Sequence, residues 1–137
     1  MIMNRFQLIV SFFLIGIVSY GQNLSHCDNI FKRPEVEAKY TNGFPDLMNY
    51  FSQNLASIVG DSMRENKTMI DRLYMNLLIN DEGTVIAVEF TKPELSEKCK
   101  IKLRKEIMTM KGWTPGKIGK INVCTEYIWA ISCIKWG

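Results

Sequence analysis

The chain has 137 residues, 47% of them hydrophobic and 23% charged, with a formal net charge of +3 at pH 7. That length suits one domain, and a globular composition of this kind allows a packed core. The lysines are scattered, so the concentrated basic face that nucleic-acid binding requires is missing.

Residues 1–21 read as a targeting signal. Arg5 is their only charge, the 15-residue run FQLIVSFFLIGIVSY follows, and Ser19 and Gly21 stand at −3 and −1 of a cut before Gln22. This is the order of a secretory signal peptide. A membrane span needs about 20 apolar residues, which the run does not supply; an uncleaved inner-membrane signal anchor is the alternative. A lipoprotein is disfavoured because His26 stands where a small residue should precede Cys27. The expected location is therefore periplasmic or secreted, with membrane association only if the signal is kept. Export makes the four cysteines, Cys27, Cys99, Cys124 and Cys133, read as two disulfides. Four reduced, buried thiols are the other possibility.

Residues 22–43, with Pro34 and the turn-like Thr41-Asn42-Gly43, read as an arm with at most a short strand at 36–40. Helix one begins at Pro45 and Asp46 and stops at Gly60, with Leu47, Tyr50, Phe51, Leu55 and Ile58 on one stripe. A polar loop, 61–67, follows. The segment 69–80 alternates Met69, Leu73, Met75, Leu77 and Ile79, while Ile70, Tyr74 and Leu78 fill the other register. A strand apolar on both faces belongs inside its sheet. Gly83 then marks a hairpin tip ahead of a second strand, 85–90, in which Ile86, Val88 and Phe90 share a face.

Pro93 and Glu94 suit the start of helix two, which carries Leu95, Cys99, Leu103, Ile107 and Met110 on one side. Gly112 suits the position just beyond its end. In the connector GWTPGKIGK, Trp113 offers a large apolar body, Pro115-Gly116 fits a type II turn, and Gly119 allows one more bend. The last strand, 121–134, places Ile121, Val123, Tyr127, Trp129, Ile131 and Cys133 on one face. The expected fold, over residues 44–137, is α+β: a three-stranded antiparallel sheet in the order 2-1-3 with both helices on one face.

No catalytic constellation emerges. His26 is the only histidine, and His26-Cys27-Asp28 cannot converge on one ion because consecutive side chains diverge. Asp81 and Glu82 sit on a hairpin tip, where polar residues are expected anyway. We expect no catalytic residue, no metal and no cofactor. The methionines read as core filler. Tyr127 and Trp129 read as core, with a place flanking a binding edge as the functional alternative.

The order of elements and the wording of the connector resemble a known family. Residues 72–134 resemble the carboxy-terminal domain of TonB, particularly the short exported versions of Bacteroidetes. The resemblance rests on the Asp81-Glu82-Gly83 tip between two strands, the charged helix, Trp113-Thr114-Pro115-Gly116-Lys117 with Gly119, and a last strand containing Tyr127. Gly43-Phe44-Pro45 also resembles the start of the extra helix in those versions. The resemblance implies a non-enzymatic binding module that takes an extended peptide of an outer-membrane or periplasmic partner on its last strand, linked to TonB-type transport. The receiving residues would be Val123, Thr125, Tyr127, Ile128 and Trp129. The family's Tyr-Pro before the first strand is replaced here by 58–68, and 22–43 holds no long Pro-rich spacer.

Independently of any family, the 2-1-3 order leaves the last strand at an edge whose interior has no proline and only Glu126 as a charge. Such an edge is either covered or used. The arm, tied down through Cys27, could cover it; otherwise an extended peptide or a second copy of the chain would pair with it. The competing reading is a small secreted enzyme or inhibitor stapled by disulfides. Cys124 and Cys133, nine residues apart, would be about 30 Å apart along a strand, against ~5.5 Å in a disulfide. Of the two connectivities left, Cys99–Cys133 with Cys27–Cys124 is slightly favoured. The exported protein should have an intact mass lacking residues 1–21; a full-length species held in the inner membrane would refute cleavage.

Overall fold

The computed structural model describes residues 27–92 and 94–132. The expected signal peptide, His26, Pro93 and Cys133 lie outside them. In chain order the elements are β1 (Ile30–Phe31), β2 (Lys39–Tyr40), α1 (Phe44–Tyr50), a π-helical segment (Phe51–Leu55), α2 (Ala56–Asn66), β3 (Arg72–Ile79), β4 (Val85–Lys92), α3 (Glu97–Ile107), β5 (Trp113–Thr114), β6 (Gly116–Ile118) and β7 (Ile121–Ser132).

The fold is α+β, and its main sheet is mixed rather than a three-stranded antiparallel one. β3 lies between β4 and β7 and is antiparallel to both. β1 joins the far side of β7 in parallel, and β6 pairs with β7 at its start. A second small sheet joins β2 to β5. Leu73, Met75, Leu77 and Ile79 are fully buried on one face of β3. The helices meet that face through Leu47, Phe51, Leu55, Val59, Leu103 and Ile107. Trp129 of β7 lies in the same core, edge-to-face with Phe51 at 6.3 Å.

Helix one is longer than its sequence announces. Gly60 is buried within it, and the helix ends only at Asn66, where Lys67 takes a left-handed φ of 51°. A glycine costs a helix about 1 kcal/mol; here the burial of Val59 and Met63 on either side of it overrides that preference. The buried residues Leu47, Phe51, Leu55, Val59 and Met63 recur every fourth position. In a helix of 3.6 residues per turn, each such step overshoots a full turn by about 40°. The wider π turn at Phe51–Leu55 takes back part of that drift and keeps the stripe on the core.

Helix two starts later than expected, at Glu97, because Ser96 caps it by accepting a hydrogen bond from the Cys99 N–H at 3.2 Å. It ends at Ile107, so Gly112 does not cap it. Gly112 sits instead at φ 103°, and its carbonyl accepts from the Thr41 N–H. Strand 69–80 also begins later: Met69 is 86% exposed and precedes β3. In β4, a register irregularity opposite Leu78 and Ile79 puts Val85, not Ile86, into the core.

The type II turn expected at Pro115-Gly116 is not formed. Gly116 opens β6 without a positive φ, and its need for glycine is steric: a Cβ there would stand 2.3 Å from Thr125 Cγ2. Gly119, at φ 61°, turns β6 back into β7 through a two-residue hairpin loop. Gly116→Ala should therefore cost about 1–3 kcal/mol through overpacking. Gly119→Ala, with nothing within 4 Å of its Cβ, should cost only the left-handed penalty of about 1–2 kcal/mol. Urea unfolding of both variants checks this, and a Gly116→Ala protein as stable as the parent would refute the close packing of β6.

Candidate functional site: the free edge of the last strand

β7 is a 12-residue strand whose two sides are used unequally. Toward β3 it pairs without interruption from Arg72↔Ser132 to Ile79↔Thr125. Its first residues pair with β6 up to Val123. On the side away from β3, β1 pairs only with Cys124 and Thr125. Among the described residues, nothing pairs with positions 126–132 on that side, which leaves a row of unused backbone donors and acceptors.

The arm is what covers the start of this edge. Cys27 and Cys124 form a disulfide with a Cα separation of 5.9 Å, as expected for that pair. Cys99 does not take part in the second expected bridge; it is a free, buried thiol. Burial is the main cause that raises its pKa, so the thiol stays protonated and unreactive. After β1 the arm bends away, then returns as Val36, whose N–H and C=O both bond Lys117 at 3.0 and 2.8 Å. Between the departing arm and the edge lies a groove of about 300 Å³, walled by Lys32, Pro34, Glu37 and Ala38 on one side and Thr125, Glu126, Tyr127 and Ile128 on the other.

The five residues expected to receive a partner fall into three settings. Val123 and Thr125 stand opposite Gly116 and Phe31, at positions already paired. Trp129 is 1% exposed and belongs to the core. Tyr127 and Ile128 border the groove, and Ile128 is 67% exposed on the sheet face turned away from the helices. The one charge on this stretch does not guard it. Glu126 is drawn across to β3, where its Oε1 accepts a hydrogen bond from Asn76 Nδ2 at 2.8 Å. The opposite edge, β4, is different: two register irregularities interrupt its pairing with β3, and Glu89 is exposed along it. Bulges and charges are how sheets protect edges. β4 has both, while the free half of β7 has no bulge and its single charge is held by Asn76.

The connector residues support the edge from behind. Trp113 is buried between Tyr40 and Tyr127, with ring centroids 5.4 and 5.0 Å away, and Tyr40 meets Tyr50 at 5.8 Å. Four rings thus run from α1 through β2 and β5 to β7. Gly83 at φ 81° lets the β3–β4 tip approach this connector, since a Cβ there would stand 2.3 Å from the Trp113 carbonyl oxygen. Asn80 secures the tip, its Oδ1 accepting from the N–H groups of Glu82 and Thr84. The apolar alternation around the tip was legible in the sequence; the arm's parallel strand, only two residues long, had no periodic signal that could have announced it.

Among the described residues, no group of three or more His, Cys, Asp or Glu side chains is placed to hold a metal ion. No helix among them is long and apolar enough to cross a membrane. No protein-family model, curated protein or solved structure matches this chain.

Burial first, and then nearby negative charge, raises the pKa of Tyr40 (Asp46), Tyr50 (Glu106) and Tyr127 (Glu37) above the ordinary value of ~10. A phenol whose folded pKa is raised contributes stability below its unfolded pKa and loses it as pH rises through the folded one. Stability should thus be flat up to about pH 10 in this respect and fall above it. Tyr127→Phe should make that alkaline fall shallower, followed as Tm between pH 8 and 11; an unchanged slope would show that Tyr127 ionises freely in the folded state.

Proposed function

We propose that this protein is an exported, non-enzymatic binding module that takes an extended peptide onto the free edge of β7. The observation that carries the reading is the unbulged stretch 126–132, unpaired on its outer side, whose single charge, Glu126, is bonded to Asn76, in a sheet whose central strand is fully buried on one face. Such an edge gains affinity from main-chain hydrogen bonds and specificity from pockets for alternate side chains. The groove beside Tyr127 and Ile128 is the nearest such pocket. The arm's own strand pairs with this edge at Cys124 and Thr125, which supports the reading. On this reading the module works in the periplasm in the manner of a TonB carboxy-terminal domain, with a peptide of an outer-membrane or periplasmic protein as its partner. That part rests on the residues that carry the resemblance.

Panning the oxidised protein against a display library of random seven-residue peptides tests the proposal. Selected peptides should slow amide hydrogen exchange at 126–132. Ile128→Lys, at an exposed position, should weaken them about tenfold, or 1.4 kcal/mol, with the thermal midpoint preserved. Selected peptides that instead protect α3 or the β3–β4 tip, or bind the Ile128→Lys protein equally well, would refute the edge as the site.

A further inference from the structure

We infer that the Cys27–Cys124 disulfide is a redox latch that sets how much of the β7 edge is open; the inference rests on the edge being the binding site. The arm has two anchors of different kinds. The near anchor is packed and paired: Ala38 is buried, Tyr40 packs against Trp113 and Tyr50, β2 pairs with β5, and Val36 bonds Lys117 in both directions. The far anchor is β1, with two residues in parallel register, and Ile30 there is 49% exposed. No side chain among 27–37 belongs to the buried core. Burial in the core does not hold the far segment on the edge; the disulfide is its covalent tie.

Between the anchors, the chain bends at Lys32 and Arg33 and passes through Pro34. The pyrrolidine ring fixes one dihedral there, and the exposed Lys32 and Arg33 leave room for the far segment to swing. Opening the latch would vacate Cys124 and Thr125, lengthening the free edge from 126–132 to 124–132. It would also remove Lys32 from the wall of the groove.

The chemistry is thiol–disulfide exchange with a protein dithiol. One thiolate of the dithiol attacks Cys27 Sγ, the more accessible sulfur because Cys27 is half-buried and Cys124 is buried. The Cys27–Cys124 bond breaks, and Cys124 leaves as a thiolate that takes up a proton. The second thiol of the dithiol, as its thiolate, then displaces Cys27, which also leaves to become a thiol. Two electrons pass from the dithiol to the latch, and the dithiol ends as a disulfide.

Hydrogen–deuterium exchange on the oxidised protein, the protein reduced with a phosphine, and the Cys27→Ser variant decides the matter. In the two unlatched forms, amides at 28–33 should exchange at least tenfold faster than in the oxidised form. Outward amides at 124–125 should speed up with them, while those of β3 and α3 keep their rates. An arm that stays protected without the bond would overturn the latch, because β1 would then hold itself. Loss of protection throughout the domain would overturn it as well, making the disulfide a staple of the whole fold. Neither result touches the edge as a binding site, which the peptide selection on the oxidised protein decides separately.

Discussion

The packing of Trp113 between Tyr40 and Tyr127, tilted against one ring and edge-to-face with the other, holds together parts of the chain that would otherwise have little reason to meet. The arm contributes Tyr40, the connector Trp113, the last strand Tyr127, and Tyr50 continues the series into α1. Aromatic pairs of this kind add about 0.5–1.5 kcal/mol each beyond the area they bury. Three such contacts therefore fix where the arm crosses the domain, and that crossing decides where β1 meets β7 and where it leaves. The open stretch of edge is what remains after this placement.

The same cluster shows why the connector is written as it is. Trp113 must be buried while its neighbours pair with β2 and β7 on either side, so the chain has almost no room to detour. Gly83 and Gly116 answer that crowding, one against the Trp113 carbonyl and one against the Thr125 methyl. Pro115 separates two short strands rather than presetting a turn. The residues are those of a turn, but the neighbours they must clear are those of a packed interior.

Much of the scaffold is legible in the sequence because it is periodic. Leu73, Met75, Leu77 and Ile79 alternate and are buried in that alternation; Leu103 and Ile107 recur at helical spacing and face the core. The central place of β3 follows from Tyr74 and Leu78 being apolar on the other face. What was not legible depends on contacts distant in sequence. Gly60 looks like a stop until Val59 and Met63 are seen packed. Gly116 looks like a turn residue until Thr125 is seen above it. β1 is two residues placed beside a disulfide whose two cysteines are 97 positions apart in sequence. At the site itself, the sequence shows that β7 has no proline and only one charge, but not the retreat of Glu126 toward Asn76, nor which residues the arm would cover.

The disulfide also changes how the domain would carry a mechanical load. Cys27 and Cys124 are joined, so residues 28–123 form a closed covalent ring hung beside the line from Cys27 to Ser132. Tension applied between those two points passes through the sulfur–sulfur bond and along the backbone of β7. The helices, the β3–β4 hairpin and the connector lie outside that path. With the bond intact, pulling can peel β7 from β3 only by straining a strand that is already extended. Without it, the same tension runs through every element in turn, beginning with the two residues of β1.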